Sequence, residues 1–581
     1  MEQPNSQRAA TSQHVSKDVM VDTVDSPVIK SDDVEDNTLT SSKQHGEYKR
    51  QLTSRHVHLT RRKIISLGSN IGSGIFIATG KALHQGGPGN IILGYALVCS
   101  LITAVLATIA EITIAFPTSG NFIDYANRFV DPSMAFAAGF AEWLGWTGVV
   151  AAEATVFNIV VQYWAHDSIH KVVWLSVFIF CVSIIFLLPV RWFAWFEYIC
   201  SLLKIFSFIL VIVASICVLA GAGPTAHVHG SETWGSFPIF ANGFRGFLNA
   251  VLLSIWATGD QVFTGIMAGE AVSPRYSMAH AVKLVPARVT LIYMTGAILI
   301  SFLVSGNDPR LLGGNSTTSS PFVIAMNDAG IKGVPDIINI AIIISTASLA
   351  AEGIYTASRV LRALAHAGLI HKSIAKVDSK GRPRYAIAIT VLAAVTLTYI
   401  NLSNTGVQVF TWLVSIVSSS FFCVWFVIAI ISFRFRAALR AQNDPLFTEI
   451  HAYKTSWWPF PPTYLFVGSI FPLIGCIYIG ILPLVSLLPS ETKLKEIGYA
   501  DEEQDSKSIN VYNFFQYMLG LFLIATSYLG YKCVFRTKIV DPKKADLVTG
   551  RRTLDEKEIE MLDEYYAMPI WRRFFCYIQL W

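Results

Sequence analysis

Four ionisable side chains lie deep inside long apolar runs of this 581-residue sequence: Glu153, Lys204, Asp260 and Glu352. A charge at the centre of a membrane span costs roughly 2.5–3.5 kcal/mol on insertion scales, so each of these groups needs a partner, water or a proton. A buried lysine with no anion nearby sheds its proton readily, which makes Lys204 a candidate proton carrier. The alternatives remain open: Lys204 can instead form a permanent ion pair, and Asp260 and Glu352 can either pair with it or bind a cationic group.

Three further acids, Glu111, Glu142 and Glu270, lie nearer the ends of their apolar runs. At a helix end, a contact with a loop or with the membrane surface is the simpler role for a carboxylate. Glu142, Trp146 and Glu153 are separated by helical intervals and therefore share one face of a helix. We expect that face to point into the protein rather than towards lipid.

Glycine and small polar residues are concentrated in two of the apolar runs, GSNIGSGIF at 68–76 and SIWATGDQVFTGIMAGE at 254–270. Close packing between helices is one explanation for such residues. Their density favours local unwinding, which exposes backbone N–H groups that can bind a carboxylate and carbonyl groups that can bind an ammonium group. Two broken helices five apart in the helix order indicate an inverted-repeat transporter.

These residues need a set of membrane helices to position them, and the composition supplies one. Hydrophobic residues make up 53% of the chain and charged residues 15%, against about 25% charged residues in soluble proteins, which excludes a water-soluble enzyme. Because about 20 apolar residues span a bilayer, the sequence predicts twelve transmembrane helices, at residues 64–83, 91–116, 134–164, 172–190, 196–220, 247–271, 289–304, 337–365, 386–402, 407–433, 464–488 and 511–535.

The distribution of Lys and Arg predicts the orientation of these helices. Residues 61–63, 372–384 and 434–440 are rich in Lys and Arg, whereas the loop at 84–90 contains neither. Positive residues near helix ends stay in the cytoplasm, so both termini are predicted to be cytoplasmic. The Asn315-Ser316-Thr317 sequon then lies outside, and Asn315 is a glycosylation candidate.

The chain divides into three regions: an N-terminal tail at 1–54, a twelve-helix domain at 55–536 and a C-terminal tail at 537–581. The first tail is polar and poor in aromatic residues, which predicts disorder because too little apolar surface can be buried. Both tails are suited to contact with trafficking or ubiquitination machinery, and the helices with membrane lipid.

Several other classes of protein and site are excluded. The sequence has no phosphate-binding loop and no metal-binding spacing of its histidines, so neither a cofactor nor a metal is expected. The eight cysteines form no CxxC pair. A net charge of +5 is too small to indicate a nucleic-acid partner.

Long motifs carry a resemblance to a known family. GSGIFIATGKALHQGGPGNIILGYAL, GIMAGEAVSPR and IYTASRVLRALAHAGLIHKSIAKVDSKGRP resemble segments of the fungal amino acid permeases of the amino acid–polyamine–organocation (APC) superfamily. The resemblance extends from about Arg55 to the C-terminus. It implies an all-α membrane protein with the five-plus-five inverted-repeat fold and broken helices 1 and 6. It further implies proton-coupled uptake of an amino acid across the plasma membrane.

The resemblance also assigns roles to residues. The first-helix segment that holds the substrate α-carboxylate matches Ile71, Gly72, Ser73 and Gly74. The sixth-helix segment whose carbonyls receive the α-amino group matches Trp256, Ala257, Thr258 and Gly259. Glu153 matches a third-helix acid of many fungal members. Lys204 matches the fifth-helix lysine that replaces a sodium ion of sodium-coupled relatives.

The sequence departs from the family pattern at three places. Asp260 and Glu352 stand where the family usually has a small or uncharged residue. Two added acids near a binding site suggest a substrate with extra positive charge, so a transporter of a polyamine, carnitine or another cationic metabolite is the alternative function. A nutrient receptor that does not transport is a second alternative. Cys576 follows an aromatic pair, as a lipidated cysteine of the family does, but here the chain continues beyond it.

Overall fold

In the computed structural model, residues 71–118, 120–165, 168–228, 230–262, 273–311, 320–378, 381–402, 406–485 and 500–573 are described, and no β-strand occurs among them. They belong to one compact unit, Tyr48–Trp581. The helices are α1 Thr79–Ala115, α2 Phe122–Phe129, α3 Pro132–Ala165, α4 Lys171–Ile184, α5 Val190–Leu219, α6 Gly243–Thr258, α7 Pro274–Leu303, α8 Pro321–Asp328, α9 Val334–His366, α10 Arg384–Tyr399, α11 Gly406–Ala441, α12 Phe460–Val485, α13 Ala500–Phe535 and α14 Glu556–Ala567.

Nine helical stretches of the described residues are long and apolar enough to cross a membrane. The predicted segments 64–83 and 91–116 are joined in one of them, Gly74–Ala115. The predicted segment 172–190 corresponds to a shorter apolar helical stretch, Lys171–Leu187. The predicted start of the seventh segment at 289 is wrong, because α7 already begins at Pro274. Its first turns carry Arg275 and other polar side chains, which lower the hydropathy without ending the helix.

Glycine and proline bend the first helical stretch sharply. Gly87 has a φ of 79° and a ψ of 171°, and Pro88 follows it inside the stretch. A side chain at Gly87 would place its Cβ 2.3 Å from the Pro238 carbonyl oxygen, so only glycine fits against that loop. The Gly89 N–H freed by the bend donates to the Ile239 carbonyl at 2.9 Å.

The third helix is the centre of the structure. The most apolar window of α3 is 83% buried, whereas that of α13 is 11% buried, so α3 is enclosed by protein and α13 presents its side chains outward. α9 and α11 pack against α3, and α6 and α7 pack against α1. Small residues permit this close approach; a Cβ at Gly353 of α9 would lie 3.0 Å from the Trp146 carbonyl oxygen of α3.

The basic loop before α10 is held by a carboxylate. Asp378 accepts hydrogen bonds from the backbone and guanidinium of Arg382 and from Arg384. Burial opposes its ionisation, but these hydrogen bonds outweigh burial and lower the pKa of Asp378 to about 2. Arg382 also donates to the Leu187 carbonyl at 2.5 Å. It therefore joins this loop to the end of the helical stretch Lys171–Leu187.

A buried ion pair connects α1 with α11. Arg436 donates to Glu111 through Nη2 at 2.6 Å and through Nε at 3.1 Å, and the Thr455 backbone N–H also donates to Glu111 at 2.6 Å. The guanidinium lies 4.0 Å from the Phe447 ring centroid. The loop contact predicted for Glu111 is therefore confirmed, and the pair holds the loop before α12 against the ends of two helices.

We expect Glu111→Gln to destabilise the protein by about 3–5 kcal/mol, because it leaves the Arg436 charge buried without its counter-charge. The measurement is the midpoint of thermal unfolding in detergent, followed by the monodisperse fraction after heating. Glu232→Gln is the matched control, since Glu232 pairs with His227 on the exposed surface, where ion pairs contribute little. Equal midpoints for Glu111→Gln and Glu232→Gln would contradict the structural role of the buried pair.

Candidate functional site

The first site element is a stretch of non-helical backbone that precedes α1. Residues 71 and 72 are not helical, Ser73 already has helical dihedral angles, and a π-helical turn, Gly74–Ala78, leads into the helix. A Cβ at Gly74 would lie 2.4 Å from the Ala257 Cα, so the absence of a side chain lets this backbone touch α6 directly. Gly72 is equally close to its neighbour, with 2.3 Å from its hypothetical Cβ to a Leu349 methyl group.

The second site element is the end of α6. The helix stops at Thr258, and Gly259 adopts a φ of 69° and a ψ of 169°. Gln261 then folds back and donates to the Thr258 carbonyl at 2.7 Å. The described chain is therefore non-helical at both places where the sequence predicts a break, and the contact between Gly74 and Ala257 sets these two places side by side.

The carbonyl groups of the second break differ in their surroundings. The Tyr293 hydroxyl of α7 donates to the Ala257 carbonyl, which is therefore already engaged. The Trp256 indole lies edge-on to Phe410 with 5.0 Å between the ring centroids. Within the segment Trp256–Gly259, the Ala257 carbonyl therefore already has a hydrogen-bond donor.

Glu153 of α3 borders the first break. The Ser73 hydroxyl donates to its Oε1 at 2.7 Å, and both residues are buried. Its second oxygen, Oε2, is buried and accepts no hydrogen bond from the described part of the chain. The structure thus brings together two residues that the sequence singles out separately, and it leaves one carboxylate oxygen with unused acceptor capacity.

Lys204 of α5 is ion-paired, but with an acid that sequence reasoning missed. Its Nζ lies 3.7 Å from Glu197 Oε1 and donates to the Ser348 hydroxyl at 2.9 Å. Ser348 in turn donates to Glu197 at 2.7 Å. Glu197 lies at the margin of a predicted span and was overlooked for that reason, although seven residues, or two helical turns, place it on the same face of α5 as Lys204.

Glu352 lies one turn beyond Ser348 on α9, and its carboxyl group interacts electrostatically with both Glu197 and Lys204. The cluster therefore contains two acids and one lysine. The side chains of these three residues and of Ser348 are all buried. Asp260 does not belong to this group, so the alternative in which Asp260 pairs with Lys204 is wrong.

Asp260 instead lies against Glu142. The two carboxyl groups are in mutual hydrogen-bond contact, and Trp425 of α11 donates its indole N–H to Asp260 at 2.7 Å. The expectation that Glu142 contacts a loop or the membrane surface is wrong, because its partners are Trp146 of the same helix and Asp260 in the protein interior. The positions of Glu142 and Asp260 along their predicted spans do not predict this contact. It depends on the end of α6 at Gly259, after which the chain places Asp260 against α3.

A buried lysine of α1 also escaped sequence reasoning. Lys81 is 2% exposed, donates to the Thr411 hydroxyl and lies 5.4 Å from the Phe410 ring centroid. Lys81 lies near the end of a predicted span, where a lysine is expected to reach the membrane surface. Its position about one turn beyond the glycine-rich segment is the sequence feature that could have indicated burial, because the helix still packs against protein there.

Several predicted features lie outside the described residues: the tail at 1–54, the first part of the glycine-rich segment at 68–70, the second half of the sixth-helix segment with Glu270, the sequon at Asn315 and the cysteine at Cys576. Within the described residues, no group of three His, Cys, Asp or Glu side chains is arranged to hold a metal ion.

Comparison with known proteins adds independent information. The family model described as amino acid permease matches residues 63–544. Amino-acid permease GAP5 of Candida albicans is 34% identical over 548 residues, which cover 93% of this chain and 84% of that relative. S-adenosylmethionine permease GAP4 of the same organism is 30% identical over 535 residues, covering 92% and 82%. These relatives are transporters rather than enzymes.

Among solved structures, the chain is similar to Mhp1, a nucleobase-cation-symport-1 family transporter in a closed conformation with bromovinylhydantoin bound. The sequence identity is 12% and the TM-score 0.43, over 82% of this chain and 93% of that one.

We expect Gly74→Ala to destabilise the protein by about 1–3 kcal/mol, because the added methyl group overlaps the Ala257 backbone, which cannot move aside as a flexible side chain would. The measurement is the thermal midpoint in detergent. Gly235→Ala is the matched control, since a Cβ at Gly235 would meet nothing within 4 Å. An unchanged midpoint for Gly74→Ala would show that the two breaks do not touch as described.

Proposed function

The chain belongs to the amino acid permease family, fungal transporters of the APC superfamily, and from that membership we propose that it is a proton-coupled symporter that takes up an amino acid across the plasma membrane. The observation that carries this proposal is the hydrogen bond from Ser73 to Glu153. It couples the first helix break to a buried acid whose second oxygen is unsatisfied. A transporter needs such a polar, non-helical region inside the membrane, whereas a purely structural bundle does not.

The proposed architecture has twelve transmembrane helices in a five-plus-five inverted repeat, with helices 1 and 6 broken. The non-helical residues 71 and 72 and the end of α6 at Thr258 support the two breaks. The regions 1–54, 55–536 and 537–581 are proposed as a cytoplasmic tail, the transport domain and a second cytoplasmic tail. The tails would contact trafficking or ubiquitination machinery, and the outer helices membrane lipid.

The substrate site is proposed to lie at the junction of the two breaks. Backbone N–H groups of residues 71–74 would bind the α-carboxylate, because they lie at the start of the first described helical stretch, where N–H groups attract an anion. The carbonyls of Trp256 and Gly259 would receive the α-amino group, aided by the second carboxylate oxygen of Glu153. The carbonyls of Ala257 and Thr258 already accept from Tyr293 and Gln261, so these two residues would line the site mainly by packing.

Lys204 is proposed to take part in proton coupling through its two acids. In the cluster with Glu197 and Glu352, the fully ionised state carries one uncompensated negative charge, which a proton removes. Such a cluster can change its proton occupancy as water reaches it from one side and then from the other. The burial of these groups between α5 and α9 supports this role.

We expect uptake of a radiolabelled amino acid to collapse when a protonophore removes the proton gradient. Lys204→Gln should abolish accumulation while substrate exchange across the membrane persists, because exchange needs binding but no net proton movement. Lys332→Gln is the control, since Lys332 is exposed. Accumulation that is untouched by the protonophore would refute proton coupling, and unchanged accumulation by Lys204→Gln would remove Lys204 from it.

A cationic substrate is the second candidate, because two acids and one lysine leave the Lys204 cluster short of positive charge. One relative is named as a permease of S-adenosylmethionine, which is a sulfonium cation. A positively charged group would be attracted strongly to Glu352 in a region of low dielectric constant.

Competition for uptake tests whether the substrate is cationic. Arginine, spermidine, carnitine and S-adenosylmethionine are each added in excess to labelled amino acid uptake, alongside a neutral amino acid. If the substrate is cationic, the cations compete and Glu352→Gln weakens their competition more than that of the neutral amino acid. Competition by neutral amino acids alone would reject the cationic candidate and leave the primary proposal standing.

A further inference from the structure

Glu142 and Asp260 form a carboxyl pair in which each group is fixed from its outer side. Trp146 donates its indole N–H to Glu142 Oε1 at 2.8 Å, and Trp425 donates to Asp260 Oδ1 at 2.7 Å. The Val262 backbone N–H donates to the same Asp260 oxygen at 3.2 Å. Both acids are buried, with 0% and 2% of their surfaces exposed. The two indoles and the backbone therefore determine which oxygens remain for the contact between the acids.

The remaining oxygens lack a donor. Glu142 Oε2 and Asp260 Oδ2 are buried and accept no hydrogen bond from a donor in the described part of the chain, and the two carboxyl groups interact directly with each other. Two ionised carboxylates offer only acceptors and repel each other, most strongly where water is excluded. The contact requires a hydrogen atom between the two groups.

Among the described residues, no cationic side chain is hydrogen-bonded to either acid: Glu142 accepts from Trp146, and Asp260 accepts from Trp425 and from the Val262 backbone N–H. Several charged side chains of the helices around α3 have other partners: Glu153 with Ser73, Glu352 with Glu197 and Lys204, Arg436 with Glu111, and Lys532 with Asp131. Nor do the described residues place a third metal ligand there.

We propose that Glu142 and Asp260 share one exchangeable proton and constitute a second proton site of the transport cycle, distinct from the Lys204 cluster. In the occupied state one carboxyl group donates to the other carboxylate, and the pair carries a single negative charge. Release transfers the proton to water and leaves two carboxylates, which repel each other. This inference rests on the proposed function, because a shared proton becomes a coupling site only in a proton-driven transporter.

The backbone next to the pair is able to respond to that repulsion. Asp260 follows Gly259, whose φ of 69° interrupts the helix, and no atom would contact a Cβ there within 4 Å. Glu142 lies within the continuous, central helix α3. Loss of the proton would therefore move Asp260 and the break rather than Glu142, and the Trp425 hydrogen bond would resist that movement.

The pair is tested with the purified full-length chain in liposomes that contain a pH-sensitive dye. Substrate-driven proton entry and substrate exchange are measured for the wild type, Glu142→Gln, Asp260→Asn and the double variant, with Glu232→Gln as an exposed-acid control. We expect the three pair variants to lose substrate-driven proton entry and to keep exchange. Retention of full proton entry by the double variant would overturn the proposal.

A second measurement reads the proton directly. Infrared difference spectroscopy between acidic and alkaline pH should show a protonated-carboxyl band that shifts in D₂O and is lost in both Glu142→Gln and Asp260→Asn. A band that persists in both variants would overturn proton sharing. If the wild type exchanges substrate without any proton entry, the proposed coupling fails and the pair's role in transport with it, whereas this band still decides whether the pair holds a proton.

Trp425→Phe keeps both carboxyl groups and removes one indole donor, so it serves if the pair variants do not fold. We expect its uptake to have a shifted pH profile at near-normal exchange, because Asp260 loses the donor that stabilises its ionised form. Trp457→Phe, on the exposed surface, is the matched control. A pH profile of Trp425→Phe identical to the wild type would count against the proposal.

Discussion

The contact between Gly74 and Ala257 is the constraint on which the site depends. Inside a membrane, backbone groups freed from a helix must be satisfied by protein or by enclosed water, because lipid offers no hydrogen bonds. Non-helical backbone at membrane depth can be tolerated only where helices enclose it, and a glycine at position 74 allows the segment before α1 and the end of α6 to share one enclosure. The burial of α3, the Tyr293 hydrogen bond to Ala257 and the approach of Ser73 to Glu153 all follow from enclosing that junction.

The buried charges fall into two kinds once their partners are known. Glu111 and Arg436 neutralise each other and join a loop to two helices, which is a structural task. Groups near the breaks are not neutralised in the same way: the Lys204 cluster has an excess acid, and the pair of Glu142 and Asp260 has no cation among the described residues. Because an uncompensated buried charge is unfavourable, these are the places where a proton or a cationic ligand gains most by binding.

The sequence predicts which residues lie deep inside the protein, but it does not predict which neighbours their side chains contact. Hydropathy placed Glu153, Lys204, Asp260 and Glu352 in the interior, and glycine density located both breaks. It could not predict the partner of Lys204, because that depends on the rotation of α5 against α9, nor the encounter of Glu142 with Asp260, which depends on where the chain goes after Gly259. The start of α7 was missed for a related reason, since polar side chains that face protein lower hydropathy without interrupting a helix.

Gly259 separates two different tasks by a single residue. The last residues of α6 on its helical side border the proposed amine site, while Asp260 on its other side interacts with Glu142. A change in the backbone at Gly259 therefore alters both neighbours at once, because only one set of φ and ψ angles separates them. Binding of a substrate amine that stabilises one geometry of the break must also stabilise or weaken the contact between the acids, and by thermodynamic reciprocity proton occupancy must change substrate affinity in the same sense. The proposed coupling between a substrate and a proton requires such a shared element, and Gly259 is the residue that would provide it.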